Sequence, residues 1–189
     1  MSRKCRSERA AQQQAVICGG LVRLMEEQSY HQITVRDICA RAQVPRRTFY
    51  YYFEGKDEVL ECLLDTVVRE SSLEAMLPLE ADRECVQKEF SRFFRFWRDN
   101  RSSELKALIR NGFAGRLIQR SAQWSSTESL WATELRKKVS GLDAMGAQIG
   151  ATVIYYVLMY WCEGGFTQHE DEVAAYTTEL LTNPLYRLS

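Results

Sequence analysis

Two arginines and a threonine, Arg46-Arg47-Thr48, follow directly on Pro45. Proline has no amide proton and a fixed φ, so it suits the start of a helix rather than its interior. An arginine can donate two parallel hydrogen bonds to O6 and N7 of guanine, and a threonine can touch a thymine methyl or a base edge. Tyr50, Tyr51 and Tyr52 come next. Three consecutive tyrosines on a short helix cannot all be buried, so at least one or two face outward, where phenol hydroxyls are good phosphate donors. Lys56 stands at the start of the following helix, where a cation and free amides together would grip a phosphate. The chemistry on offer is recognition of a duplex by its backbone and its base edges.

Catalytic and metal chemistry find little footing. The chain has two histidines, His31 and His169, and shows no nucleophile elbow, phosphate loop or metal-ligand constellation. His31 reads as a surface residue in a link. The six cysteines, Cys5, Cys18, Cys39, Cys62, Cys85 and Cys162, are scattered, with no CxxC pair. Cys18, Cys39 and Cys162 sit within apolar patterns as small hydrophobes, and reduced thiols are the expected state. A redox role for one of them is the minor alternative. No enzyme activity, cofactor or metal is expected.

The net charge is zero, but its distribution is uneven. Residues 1–50 carry nine Lys/Arg against four Asp/Glu, and the remainder sixteen against twenty-one. A basic head on an acidic body suits an anionic partner for the head. The opening residues have no apolar core, so no secretory signal is expected. The longest apolar stretch, Ala151 to Cys162, is too short to span a bilayer. A cytoplasmic protein without a membrane role is predicted.

The elements that must position these residues read as helices throughout. Hydrophobic residues make up 46% of the chain and there are three prolines, with no alternating β-branched runs, which predicts an all-α fold. Residues 1–7 read as a basic arm. A first helix runs from Glu8 to Gln28 on rows Ile17/Leu21/Leu24 and Cys18/Val22/Met25. Thr34 with Asp37 forms a capping box opening a second helix, whose Val35, Ile38, Cys39 and Ala42 share one face. Gln43-Val44-Pro45 interrupts it, and Arg46 to Phe53 is a third, with Phe49 and Phe53 turned inward. After Gly55 a fourth helix begins near Asp57 and runs to about Leu73, with Pro78 marking a boundary. Further on, Val86, Phe90, Phe93 and Trp97 make one stripe, and Leu105, Leu108, Ile109, Gly112 and Phe113 another. Ser121 to Thr127 reads as loop and Leu130 to Val139 as a short helix. Gly141 to Glu163 is a long helix, apolar on nearly every side, stopped by Gly164-Gly165. Glu170 to Leu181 closes the set.

A short helix, a tight turn and a short helix between Thr34 and Phe53 match a helix-turn-helix in size, whose second helix enters the major groove. The stretch from Ile33 to Leu60 resembles the DNA-binding domain of the TetR/AcrR family of repressors. It has an apolar first helix, a Thr34-Val35 opening, Thr48-Phe49-Tyr50-Tyr51-Tyr52-Phe53 in the third helix, and Lys56-Asp57-Glu58-Val59-Leu60 after it. The resemblance covers about residues 10–64. It implies that Thr34 contacts phosphate, and that Arg46, Arg47 and Thr48 reach bases and nearby backbone. Tyr50, Tyr51 and Tyr52 would divide between base edges, backbone and packing, and Lys56 would bind phosphate, so that Lys56→Ala should flatten the salt dependence of binding. Two positions depart from the family pattern. Pro45 stands where a small or polar residue is usual, so a side-chain cap is lost, and Ser29 stands where Gly is common.

The resemblance further implies two units: an N-terminal three-helix DNA-binding domain with its basic arm, residues 1–55, and a C-terminal helical ligand-binding and dimerisation domain, residues 56–189. The last two helices would pair across a two-fold axis. The apolar helix around 150–162 needs cover on both sides, which a partner subunit and a domain core would supply. Phe93, Trp97, Phe113, Tyr156 and Met159 are candidates to line a pocket for a small apolar or aromatic effector. No charge in this half reads as buried. The function implied is a ligand-responsive homodimeric repressor on a palindromic double-stranded operator. The alternative is a coactivator of the same fold acting through a protein partner.

Overall fold

The computed structural model describes residues 8–71, 83–127 and 141–182, and among these every regular element is helical. Helix α1 spans Glu8–Glu27, followed by a 3-10 turn at Tyr30–Gln32, α2 at Val35–Ala42 and α3 at Arg46–Tyr52. Then come α4 at Lys56–Glu70, α5 at Arg83–Asn100, α6 at Ser102–Arg110 and α7 at Ala114–Thr127. The long α8 covers Gly141–Glu163 and α9 covers Glu170–Thr182. The first three helices match the sequence pattern to within a residue or two at their ends. The basic arm at 1–7, the end of α4 near Leu73, the Pro78 boundary and the short helix at 130–139 fall outside the described residues.

Each element forms for a local reason and is held by its buried face. Helix α1 buries Ile17, Leu21 and Leu24 with Cys18, Val22 and Met25, the two adjacent rows that a 3.6-residue period places on one side. It packs on α2, α4 and α6 at once. Its approach to α2 is close. A β-carbon at Gly20 would stand 2.9 Å from Ala42 Cβ and 3.3 Å from the Ile38 carbonyl oxygen. Only a residue without a side chain lets the two backbones come so near.

Two segments differ from the sequence pattern. The stripe from Leu105 to Phe113 is not one helix: α6 ends at Arg110, and Gly112 turns the chain with φ +77°. An Asn-Gly pair, Asn111-Gly112, takes this corner because glycine accepts a positive φ without a steric cost. Residues 121–127, which read as loop, continue α7. There Leu117, Ser121 and Trp124 fall on one side, and the buried Ser121 hydroxyl donates to the Ile118 carbonyl. Its polarity is satisfied within its own helix, which a hydropathy pattern cannot anticipate.

In the C-terminal half α5 packs on α9 and α7 on α8. Phe90, Phe93, Phe94 and Trp97 of α5 are buried, as their spacing predicts. Helix α8 buries Ile154, Tyr155, Leu158, Met159, Trp161 and Cys162 on one side and leaves Tyr156 and Tyr160 exposed on the other. Two buried carboxylates, Glu89 of α5 and Glu170, correct the expectation of a half without interior charge. Glu170, the first residue of α9, is 3% exposed and accepts from Arg95 Nε at 2.7 Å and from Arg98. Burial pushes its pKa up, but Arg95, its own backbone amide and Arg98 outweigh that and bring it down to about 2 from an ordinary 4.5.

A pH prediction follows from the sign of that shift. A carboxyl whose folded pKa is depressed stabilises above its unfolded value and loses that contribution as pH falls through its folded value. Wild type should melt above Glu170→Gln by an amount worth about 1–3 kcal/mol at neutral pH, since both arginines keep contact with solvent. The difference should shrink below pH 4.5 and vanish toward pH 2. A gap that stays constant in thermal melts from pH 7 to pH 3 would contradict the pairing.

Candidate nucleic-acid interface

The reading helix is positioned from both ends. Thr34 caps α2 in a complete capping box: its hydroxyl oxygen accepts from the Asp37 amide at 3.3 Å, and its own amide donates to Asp37 Oδ2 at 2.9 Å. The Thr34 hydroxyl also donates to that carboxylate at 2.7 Å. These bonds hold the Asp37 carboxyl below its ordinary pKa. At the far end of α2, Gln43 is left-handed, with φ 56°, and the Val44 amide closes on the Cys39 carbonyl at 3.0 Å. Pro45 is the residue before α3, extended at φ −61° and ψ 145°, and no side chain caps the helix there. Its carbonyl accepts from the Phe49 amide at 3.1 Å.

Helix α3 is therefore short, and its two sides divide cleanly. Phe49 and Phe53 are buried with ring centroids 5.9 Å apart. Arg46 and Arg47 are exposed, Thr48 and Tyr52 are half-buried, and Tyr50 and Tyr51 are 54% and 65% exposed. Tyr52 packs edge-on against Tyr51 at 4.9 Å. Among the described residues neither arginine forms an ion pair. The outer side of α3 thus presents two guanidinium groups and two phenols, the donor set that base edges and phosphates accept. Arg36 of α2 is exposed as well.

Two of the expected contacts are placed differently. The Thr34 hydroxyl proton points at Asp37, so a phosphate would have to turn it away from a carboxylate. Lys56, the first residue of α4, is engaged by the turn before α2. Its Nζ donates to the carbonyls of Ile33 at 2.8 Å, Tyr30 at 2.9 Å and His31 at 3.3 Å, and lies 4.6 Å from the centre of the Tyr30 ring. An ammonium has three protons, and all three are taken by the turn before α2. The ammonium thereby clamps the 3-10 turn onto α4.

The residues that join the end of α1 and the 3-10 turn to α4 and the α6–α7 corner are ones the sequence did not signal. The Tyr30 hydroxyl donates to Asp57 Oδ1 at 2.6 Å, and burial followed by that carboxylate pushes its pKa up. The Tyr30 amide donates to Asn111 Oδ1 at 2.7 Å. Asn111 Nδ2 in turn donates to the carbonyls of Met25 at 3.0 Å and Ala107 at 2.9 Å. One side chain at the α6–α7 corner thereby fastens the end of α1 and the turn after it. Phe113 packs edge-on against Tyr30 at 4.9 Å and belongs to this joint. The Asn-Gly dipeptide marks a turn in sequence, but nothing there shows what the asparagine reaches.

The other pocket candidates divide. Phe93, Trp97 and Met159 are buried, and Phe93 and Trp97 lie 5.6 and 6.0 Å from Tyr155. Trp97 Nε1 is buried with no partner among the described residues. Tyr156, 62% exposed, faces away from this cluster, because adjacent helix positions point about 100° apart. Tyr155 stands in the place expected of Tyr156, with its hydroxyl 3.0 Å from the buried Ser71 at the end of α4.

Comparison with known proteins agrees with this arrangement. Residues 19–63 match the family model for bacterial regulatory proteins of the tetR family. The chain is 38% identical over 52 residues to the HTH-type dhaKLM operon transcriptional activator DhaS of Lactococcus lactis, covering 28% of each. It is 31% identical over 122 residues to the HTH-type transcriptional regulator EthR of Mycobacterium tuberculosis, covering 62% of this chain and 52% of that one. The chain thus spans about a quarter to a half of the curated relatives it matches. A putative TetR-family regulator from Syntrophomonas wolfei shares its fold with a TM-score of 0.66 at 18% identity, over 93% of this chain and 98% of the other. The fatty acid degradation regulator FadR from Bacillus halodurans does so with 0.62 at 16% identity, over 92% and 96%. Residues 19–63, which hold α2, α3 and the end of α1, thus match the tetR family of bacterial regulatory proteins in sequence, and the helical body shares the fold of a solved TetR-family regulator.

Proposed function

We propose that the protein is a homodimeric, ligand-responsive repressor that reads a palindromic DNA operator through the outer side of α3. The observation that carries this reading is the exposed pair Arg46 and Arg47 at the start of a helix whose opposite side is buried. Thr48, Tyr50 and Tyr51 complete the contact surface, with Tyr52 as its partly packed edge. Thr34 would join only if its hydroxyl leaves Asp37. The unit boundary is placed at Gly55, with residues 1–55 as the head and 56–189 as the body, in a cytoplasmic protein. Among the described residues no helix is long and apolar enough to cross a membrane.

Dimerisation is supported by the outer sides of the last two helices. Ile149, Tyr156 and Tyr160 of α8 and Tyr176 and Leu181 of α9 are exposed large hydrophobics, with Tyr160 at 81%. Such apolar area on two helices suits a second copy of the chain, and a two-fold pair would present two copies of α3 to successive major grooves. An apolar or aromatic effector carrying one hydrogen-bond acceptor would suit the cluster of Phe93, Trp97, Tyr155 and Met159, where Trp97 Nε1 awaits a partner. It would act by its differential affinity for the two spacings of the heads. Activation is the second reading of the sign, favoured by the name of the Lactococcus relative. A coactivator without DNA contact is disfavoured by the exposed arginines.

The test is fluorescence anisotropy with DNA from upstream of the protein's own gene. Arg47→Ala should weaken binding by roughly 1–3 kcal/mol, about 5- to 150-fold, and relax the preference at one base pair. An equal loss on every sequence would make Arg47 a phosphate contact, and no loss in the Arg46→Ala, Arg47→Ala double variant would end the reading.

A further inference from the structure

Cys18 of α1 and Cys62 of α4, forty-four positions apart in the chain, meet at the packed faces of their helices. Cys18 Sγ lies 3.7 Å from the carbonyl oxygen of Val59, one turn before Cys62. Both line an open cleft between α1, α4 and α7, together with Gly19, Thr66 and Trp124. They are not equivalent there. Cys18 is 7% exposed, whereas Cys62 is half-buried. A side chain at Gly19 would meet nothing within 4 Å, so the wall beside Cys18 is open.

The electrostatics sharpen the asymmetry. The Cys18 thiol and the Thr66 hydroxyl stabilise charge on Cys62 and lower its pKa against burial and Asp65. Interaction with Cys62, followed by burial, raises that of Cys18. Cys39 and Cys162 are also raised, each by burial foremost. Thiolate character and access together select the reactive cysteine.

We propose that Cys62 is a modification site for small hydroperoxides, with Cys18 as its resolving thiol. The Cys62 thiolate attacks the terminal peroxide oxygen. The O–O bond breaks, the peroxide is reduced to an alcohol or water that takes up a proton, and Cys62 becomes a sulfenic acid, oxidised by two electrons. The Cys18 sulfur then attacks the Cys62 sulfur. The S–S bond forms, the S–O bond breaks, and the departing hydroxide leaves as water with the Cys18 proton. The two thiols and one peroxide give a disulfide, one alcohol and one water. A disulfide requires the two sulfurs to come within about 2.05 Å and their β-carbons within about 3.5–4.5 Å. The bridge staples α1 to α4, the two helices that meet at the base of the reading head.

The experiment exposes the full chain to hydrogen peroxide or cumene hydroperoxide and reads intact mass and non-reducing peptide maps. Wild type should lose two hydrogens and give one linked peptide joining Cys18 to Cys62. Cys18→Ser should stop at a gain of one oxygen on residue 62, trapped by dimedone. Cys62→Ser should leave Cys18 unmodified. Circular dichroism confirms that each variant is folded, and Cys62→Ala replaces Cys62→Ser if it is not. A bridge that survives in Cys62→Ser, a bridge to any other cysteine or another chain, or alkylation of Cys62 no faster than of Cys39 in native wild type overturns the assignment.

Discussion

Lys56→Ala should lower folding stability by about 2–4 kcal/mol while leaving the salt slope of operator binding unchanged. The magnitude comes from the three carbonyls of Tyr30, His31 and Ile33 that share one ammonium. Hydrogen bonds to a charged group are worth about 1.5–3 kcal/mol each in favourable cases, and partial exposure of this site reduces the sum. The lost contact with the Tyr30 ring adds about 0.5–1 kcal/mol. Urea titration measures the first effect. The second is read from binding between 50 and 200 mM salt, at a temperature where the variant is folded. A phosphate contact would instead remove close to one unit from the slope of log affinity against log salt. A stable variant with a flattened slope would restore the role that family resemblance implies and would dismiss the clamp.

The second large effect is expected at Gly20. Gly20→Val forces a β-carbon to 2.9 Å from Ala42 Cβ and 3.2 Å from the Ala42 amide nitrogen. Part of what it meets is backbone of α2, which cannot rotate away as a side chain tip can. Overpacking of this kind costs about 1–3 kcal/mol or more, and a β-branched residue stands at its upper end. The stability loss should be about 2–4 kcal/mol. It should come with loss of operator binding, because α2 carries α3 with it. The neighbouring glycine supplies the control. A β-carbon added at Gly19 would have nothing within 4 Å of it, so Gly19→Ala should gain up to about 1 kcal/mol from helix propensity. Adjacent glycines in one helix are thus expected to respond with opposite signs in thermal melts. Equal melting temperatures for Gly19→Val and Gly20→Val would remove the close approach of α1 and α2.

These two sites show where local pattern stops being informative. The helices of the head follow from periodicity and from end signals. The Thr34-Asp37 box, the Pro45 start and the Phe49/Phe53 spacing each involve residues within four positions of one another, and the resulting helices lie where the pattern puts them. The exposure of Tyr50 and Tyr51 follows from the same arithmetic, since one side of a seven-residue helix cannot hold three rings. Lys56 is a different case. A lysine at a helix start looks the same in sequence whether it faces solvent or a turn folded back against it, and the carbonyls it meets lie 23 to 26 positions away.

The C-terminal half divides along the same line. The all-α class, the long apolar α8 and the α5 stripe are statements about spacing, and the residue order alone determined them. Which face of α8 turns inward, so that Tyr155 and not Tyr156 meets Phe93 and Trp97, was decided only by the packing of α5, α7 and α9 around it. A helix apolar on every side carries no preference of its own for a face. Likewise Asn111 became a fastening of α1 and the 3-10 turn to α6, Glu170 a buried carboxylate, and Cys18 and Cys62 neighbours, only once distant segments were brought together. Short-range geometry is written into the order of side chains because bonded neighbours impose it. Partnerships across tens of residues depend on how whole helices stack, and no single stretch of chain contains that information.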